Sequence, residues 1–503
     1  MADADILKLQ NGSDIRGVAL DGVEGENVNL TADICSRIGS AFAVFLSKKL
    51  GKPLSALKIG VGRDARVSGP VLQKAVCVGI KAQGAAVVDC GLATTPAMFM
   101  SIVFEETKYD GSVMITASHL PFNRNGLKFF DADGGLEKSD IAEILKNACT
   151  LQPVSAADEL DTFDLLSLYA NHLKNTICKK LNSSEDKKPL SGLKIVVDAG
   201  NGDAGFFVSK ILNPLGADTT GSQFLEPDGM FPNHIPNPEN KDAMAAVQKA
   251  TVSNHADLGL IFDTDVDRMS AVLDTGAEIN RDAIIAMISA ILAPSYPGGT
   301  IITDSVTSDR LTYFLEKELG LKHLRYMRGY KNVIDKCKEL NAAGTVSPLA
   351  METSGHGALR DNFYLDDGAF LAVTLIVALA NAKKEGKKIG SLIEKLPPAG
   401  EEGEFRFKIN GDGFKEYGKK VLEEFKNRAV KAGYDLPESF EGVRISFHDG
   451  DVSGWMLLRL SLHDPVMPLN IEGTSKGGLE RIKAVARTLL DGFDRLDMSC
   501  LNR

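Results

Sequence analysis

The chain has 503 residues, 44% hydrophobic and 25% charged, a globular composition long enough for three or four domains. Its net charge of −10 argues against a nucleic-acid grip or an anionic membrane surface as partner, and no apolar run reaches membrane-spanning length. Seven scattered cysteines without a CxxC pair read as reduced thiols. The segment MADADILKLQ has neither the basic start nor the apolar core of a secretion signal. A cytoplasmic protein is expected, or a plastid one where a transit peptide has been removed.

In chain order, Gly12-Ser13-Asp14-Ile15-Arg16-Gly17 is a turn carrying an arginine, followed by an amphipathic helix over 31–49. A strand over 57–61 leads into Gly62-Arg63-Asp64-Ala65-Arg66, a turn opening a helix with Ser68 near its start. Arg63 and Asp64 are expected to support a neighbouring loop. A strand over 87–91, Thr94-Thr95-Pro96 and a helix follow, completing an α/β pattern.

The stretch GSVMITASHLPFNRNGLKFF (111–130) is a strand, a polar turn Thr116-Ala117-Ser118-His119, and a second strand over 127–130. Asn125-Gly126 reads as the turn before that second strand. Ser118 thus stands at a loop tip behind a stiff strand, where an exposed nucleophile is useful. An isolated tetrapeptide of this kind is more simply a β-turn whose serine bonds the backbone. Helices are expected over 136–149 and 165–181, and a polar, charged linker, NSSEDKKPLSG (182–192), follows the second.

A strand over 193–198 ends in Ala-Gly-Asn-Gly-Asp, a turn suited to a phosphate but lacking the Gly-Lys-Ser/Thr of a P-loop. A buried strand over 258–262 then ends in Asp263, Asp265 and Asp267, with Arg268 next. Three carboxylates so close repel one another unless a cation or arginines sit among them, and such hard oxygen ligands suit Mg²⁺. An EF-hand is excluded: its sixth position needs Gly and its twelfth Glu, where this chain has Arg268 and Asp274.

A third α/β unit begins with a strand over 300–304. Arg328-Gly329-Tyr330 lies at a strand-to-helix corner. Met351-Glu352-Thr353-Ser354-Gly355-His356 combines a glutamate, a hydroxyl and a glycine, suited to sugar hydroxyls, though alone it is more simply a capping turn. Asp366-Asp367-Gly368 precedes a helix over 369–382, and 397–403 reads as a hinge-like linker. The last hundred residues alternate strands (404–409, 443–447, 455–462, 469–471) with helices over 413–432 and 479–496.

In this order the loops resemble those of the α-D-phosphohexomutases, which include phosphomannomutase, phosphoglucomutase and phosphoglucosamine mutase. The matching strings are D-x-R-G, G-R-D-x-R-x-S, T-A-S-H-x-P-x-x-x-N-G-x-K, D-x-D-x-D-R and E-x-S-G-H. Departures are Leu120 after the histidine, Thr264 and Val266 for two glycines, and Leu462-His463 in the terminal loop R-x-S-G/N-T-x-P.

The resemblance implies an α/β fold: three similar mixed α/β domains plus a smaller C-terminal α+β domain around a central cleft. The domains are expected at 1–155, 156–297, 298–398 and 399–503. It implies a mutase interconverting hexose 1-phosphate and hexose 6-phosphate, of glucose or mannose, through a phosphoserine and a hexose 1,6-bisphosphate. Ser118 would carry the phosphoryl group and, with Asp263, Asp265 and Asp267, ligate Mg²⁺. Lys128 or His356 would move protons, and Arg16 and Arg268 would face the phosphoryl group. His119, Gly329, Tyr330, Glu352 and Ser354 would bind the sugar, and Arg459, Ser461 and His463 the other phosphate. A hexose 1,6-bisphosphate is the expected priming activator. The expected partner is a small sugar phosphate, with no nucleic acid or membrane, and the protein a monomer or weak dimer.

Within the same class, phosphoglucosamine mutase and hexose-bisphosphate synthase are the alternatives. From other classes come a non-catalytic sugar-phosphate binder and a metal-dependent phosphatase. The intact Ser118, aspartate triad and His356 favour an enzyme over a binder.

Overall fold

Three short runs are buried at every residue: Gly111–Ile115, Leu258–Phe262 and Thr300–Asp304. Strands with no exposed face belong inside sheets covered on both sides, and each is an interior strand of its own sheet. The computed structural model describes residues 3–155, 159–449, 452–461 and 464–502. They divide into two units, Met1–Asn280 with Ser354–Ser391 and Arg281–Thr353 with Leu392–Arg503.

The first unit holds two α/β sheets. In the larger, Lys58–Arg63 pairs in parallel with Ala86–Leu92 and Gly111–Ile115, while Arg124–Asp131 runs antiparallel between Gly111–Ile115 and Asp14–Val18. Its core draws Ile34, Ile38 and Phe42 from helix Ala32–Leu50 and Leu72 and Val76 from helix Gly69–Ala82. Ile144 and Leu145 join them from helix Lys138–Thr150. Thr31 caps the first of these helices by accepting the Ile34 N–H. In the smaller sheet Leu258–Phe262 lies parallel to Ile195–Asp198 and antiparallel to Met269–Leu273. The hairpin turn between Phe262 and Met269 is the aspartate loop.

In the second unit, Thr300–Asp304 is flanked in parallel by Lys322–Tyr326 and Leu349–Met351. The C-terminal part is an antiparallel sheet of Val443–Asp449, Val452–Leu458, Val466–Gly473, Glu401–Ile409 and Leu496–Asp497. Helices Phe414–Lys431 and Gly478–Leu489 supply Val421, Phe425, Ile482 and Ala486 to its core. No helix among the described residues is long and apolar enough to cross a membrane.

Several expected boundaries move. Asn125-Gly126 is no turn but part of the strand Arg124–Asp131, because Gly126 faces Arg16 across the ladder. A Cβ there would lie 2.2 Å from the Ile15 carbonyl, so the glycine admits a neighbouring backbone instead of reversing the chain. The closing helix stops at Leu489 rather than 496, since Leu496 pairs with Ile409 at the sheet edge. The strand expected over 455–462 runs Val452–Leu458, and Leu462 lies outside the described residues. Glu401–Gly403 is sheet rather than linker.

Candidate active site

Ser118 is not exposed. Its residue is 7% accessible and sits at φ +50°, a left-handed turn in which Thr116 Oγ1 accepts its N–H at 2.9 Å. That turn aims the hydroxyl inward, where Ser118 Oγ donates to Asp263 Oδ2 at 3.0 Å and accepts from Arg268 Nη2 at 3.0 Å. His119 Nδ1 is 3.3 Å from the same hydroxyl and 2.5 Å from Arg268 Nη2. Burial and the Arg268 charge push the His119 pKa down to about 3, so its ring is neutral.

The loop is held from behind by Arg66, not by Arg63. The Arg66 guanidinium donates to the carbonyls of Pro121 (2.7 Å), Arg124 (3.0 Å), Leu120 (2.6 Å) and Ser118. Asp64 is its buried counter-ion, and Arg63 only reaches the Asp64 carbonyl. Arg16 donates to the Thr116 carbonyl at 2.6 Å and pairs with Asp14 at 2.8 Å, so it braces the serine turn from the other side.

Asp263, Asp265 and Asp267 offer oxygens all within 4.8 Å of one another, and all three residues are buried. Lys128 reaches them from the strand Arg124–Asp131, 3.0 Å from Asp265 Oδ2 and in direct contact with Asp267. Thr95 Oγ1 donates to Asp265 at 2.5 Å, and Arg268 Nε to Asp263 at 3.0 Å. His356 Nδ1 stands 2.5 Å from Asp366 and 3.9 Å from Asp267.

The charges settle accordingly. Burial, reinforced by Asp267 and opposed by Arg268, drives the Asp263 carboxyl well above its usual range. Burial also acts on Asp267, but Lys128, His356 and Arg268 outweigh it and keep that carboxyl ionised. Burial alone would lower Lys128 and His356; the carboxylates around them reverse this, raising Lys128 well up and His356 to about 9.

Oδ1 of Asp265 and Oδ1 of Asp267 are buried without a hydrogen-bond partner among the described residues. Orphaned buried oxygens beside a carboxyl driven toward protonation are the donor set a hard divalent cation satisfies, so the residues fit such an ion.

Val266, where a glycine was the expected residue, adopts φ +66° while fully buried. Thr264 needs no such conformation, so only one of the two departures strains the backbone. The Gly200–Asp203 turn backs this loop: Asp203 N–H donates to the Thr264 carbonyl at 2.9 Å. The chain turns helical directly after it, at Gly205, and continues as Phe207–Leu212, so the turn both braces the aspartates and precedes a helix start.

In the second unit Glu352 is buried and its Oε1 accepts the Gly329 N–H at 2.6 Å. Gly329, at φ +110°, precedes helix Tyr330–Ala342, whose first residue is Tyr330. Arg459 lies 3.6 Å from Glu441, and Ser461 Oγ accepts the Asp464 N–H at 3.2 Å. His463 lies outside the described residues. In the first unit Ser354 Oγ is buried without a hydrogen-bond partner among the described residues.

Sequence reasoning missed Thr95, Asp366 and Glu441 as parts of these clusters and named Arg63 in place of Arg66. Arg66 had a signal, the second arginine of G-R-D-x-R-x-S. Thr95 and Glu441 had none, because their partners are 170 and 136 positions away or more distant in kind than any local spacing encodes.

The chain matches three family models in succession. They are the phosphoglucomutase/phosphomannomutase alpha/beta/alpha domains I (residues 8–152), II (167–276) and III (280–399). It is 30% identical over 479 residues to a phosphomannomutase/phosphoglucomutase of Pseudomonas putida, covering 94% of this chain and 95% of that protein. A phosphoglucomutase of Neisseria gonorrhoeae is 29% identical, with 98% of each chain covered. A crystal structure of a phosphoglucomutase/phosphomannomutase family protein from Burkholderia thailandensis superposes with a TM-score of 0.79 at 28% identity, covering 98% of both chains. Three α/β/α domains followed by a C-terminal sheet domain, with these loops in this order, make the chain a member of the α-D-phosphohexomutase family of isomerases.

Proposed function

We propose that the chain interconverts hexose 1-phosphate and hexose 6-phosphate, with glucose and mannose as the sugars, through a phosphorylated Ser118. The observation that carries this reading is the placement of Ser118 Oγ 3.0 Å from both Asp263 and Arg268. A serine held between an acidic cluster and a guanidinium is poised to bear a phosphoryl group whose charge the guanidinium and a cation held by the cluster would neutralise.

In the forward step the P–O bond to Ser118 breaks as one forms to the sugar oxygen, giving a hexose 1,6-bisphosphate. The other phosphoryl group then returns to Ser118. Asp263, Asp265 and Asp267, with the Ser118 oxygen, would hold Mg²⁺, which supplies charge neutralisation at the transferred group. Arg268 and Arg16 steady the serine turn and the phosphoryl oxygens. Lys128 and His356, both held protonated, suit donation to the departing oxygen, and the proton of the attacking hydroxyl passes back to whichever of them has given up its own.

His119, Gly329, Tyr330, Glu352 and Ser354 would contact the sugar, and Arg459 and Ser461 the phosphate that is not transferred. A hexose 1,6-bisphosphate would prime the enzyme. A four-domain division at 1–155, 156–297, 298–398 and 399–503, and a monomeric or weakly dimeric cytoplasmic protein, belong to the same proposal.

The test is intact mass of wild-type and Ser118→Ala protein after incubation with Mg²⁺ and glucose 1,6-bisphosphate, beside a glucose 1-phosphate to glucose 6-phosphate assay. A single phosphoryl adduct on wild type alone, with turnover, is expected. Turnover persisting in Ser118→Ala would sink the phosphoserine route, and release of inorganic phosphate without isomerisation would sink the mutase.

A further inference from the structure

In the second unit three strand ends converge on one carboxylate. Ser305 follows the strand Thr300–Asp304, Arg328 lies just beyond Lys322–Tyr326, and Arg459 just beyond Val452–Leu458. Glu441 Oε2 accepts from Ser305 Oγ at 2.7 Å and from the Arg328 N–H at 3.1 Å, and Oε1 stands 3.6 Å from Arg459 Nη1. A hydroxyl, a backbone amide and a guanidinium around one oxyanion are the donor set of a phosphate site.

The fit to the carboxylate is incomplete. The Arg459 contact is a loose ion pair, and Arg459 Nε is buried with no hydrogen-bond partner among the described residues. A planar guanidinium that offers a fork of donors and is met at one edge only is suited to a larger, more highly charged oxyanion. Burial and the nearby Arg328 also lower the Arg459 pKa, with Glu441 and Glu404 acting against them. Glu441 itself is 20% accessible at its side chain, so it has somewhere to go.

We propose that Glu441 is a built-in competitor, its carboxylate filling the anion position of Arg459 and the Arg328 amide until the non-transferring phosphate of the substrate displaces it. This rests on the reading that Arg459 holds that phosphate. The device sets specificity by charge. A phosphate dianion outcompetes a single carboxylate for these donors, whereas a neutral sugar or a sugar carboxylate does not.

The experiment measures binding of inorganic phosphate by calorimetry at fixed ionic strength, and KM for glucose 1-phosphate, in wild type, Glu441→Gln, Arg459→Gln and the double variant. Glutamine keeps the shape and the acceptor oxygen but removes the charge. Glu441→Gln is expected to bind phosphate at least about fivefold tighter, the scale of one charge removed at about 4 Å in bulk water and so a lower bound at a protein surface, with KM falling alongside. The gain must vanish in the Arg459→Gln background. Unchanged or weaker phosphate binding in a folded Glu441→Gln, with Arg459→Gln weakening it, overturns this inference alone. Unchanged phosphate binding in Arg459→Gln overturns the phosphate-loop reading and this inference with it. Should Glu441→Gln fail to fold, Glu441→Asp, whose carboxylate is drawn back by one methylene, must show a gain of the same sign or the inference falls.

Discussion

The carboxylate of Asp64 stands 3.2 Å from Nε of Arg66, with both side chains wholly buried. Everything Arg66 does for the serine loop depends on this counter-ion, because an unpaired guanidinium at that depth would be expelled or solvated. Arg66→Met removes four carbonyl contacts and strands a buried carboxylate, and is expected to cost about 3–5 kcal/mol. The double variant Asp64→Asn/Arg66→Met should be more stable than Arg66→Met alone. Urea unfolding of the three proteins decides it, and equal stability of the single and double variants would show that the pair is not coupled.

Val266 inverts the usual order of alanine and glycine. A β-branched residue at φ +66° bears strain of about 1–2 kcal/mol, which Val266→Ala only partly relieves while losing buried methyl groups worth about 0.8 kcal/mol each. Val266→Gly loses slightly more surface but releases the strain. Glycine is therefore expected to be at least as stable as alanine here, against an ordinary penalty of about 1 kcal/mol. Thermal unfolding of both variants would refute this if alanine proved clearly the more stable.

Mg²⁺ should stabilise the folded chain through the aspartate cluster. Binding to the native state alone adds about 2.7 kcal/mol at a hundredfold excess over Kd. A rise in Tm with Mg²⁺ is expected in wild type and is expected to disappear in Asp265→Asn, which keeps an acceptor for Thr95 and Lys128 but loses a ligand charge. An undiminished rise in Asp265→Asn would place the ion elsewhere. Chelation should abolish turnover and leave the fold intact.

His234 gives a pH dependence of known sign. Its Nε2 lies 3.1 Å from both oxygens of Asp198, and although burial lowers its pKa, the Asp198 bond outweighs this and the net shift is upward. A histidine raised in the folded state binds its proton more tightly there than when unfolded. Its contribution is therefore complete below the unfolded pKa, near 6.5, and fades as pH rises through the folded value. The stability gap between wild type and His234→Gln is expected to be larger at pH 6 than at pH 9. A gap that grows toward pH 9 would contradict the assignment.

Much of the first unit could be read along the chain because its signals are local. Buried five-residue runs announce interior strands, Thr31 announces a helix start, and the serine and aspartate loops each lie within a few positions of a strand end. Where a residue's role depends on a neighbouring backbone, the local signal misled. Asn125-Gly126 has the composition of a turn, but the approach of Ile15 across the sheet decides that it is strand. Ser118 has the setting of an exposed loop tip, but side chains 145 and 150 positions away close over it.

By itself, then, the sequence determined the α/β class and the acidic loop with its demand for a cation, since composition and short spacing encode both, while Ser118 stood out only through the resemblance of its loop to a known family. Only the tertiary structure decided that Lys128 lies on Asp265, that Arg66 rather than Arg63 carries the serine turn, and that Glu441 meets Arg459. Those pairings join residues far apart in the chain. Electrostatic energy depends on distance and burial in space, which no local pattern of residues records.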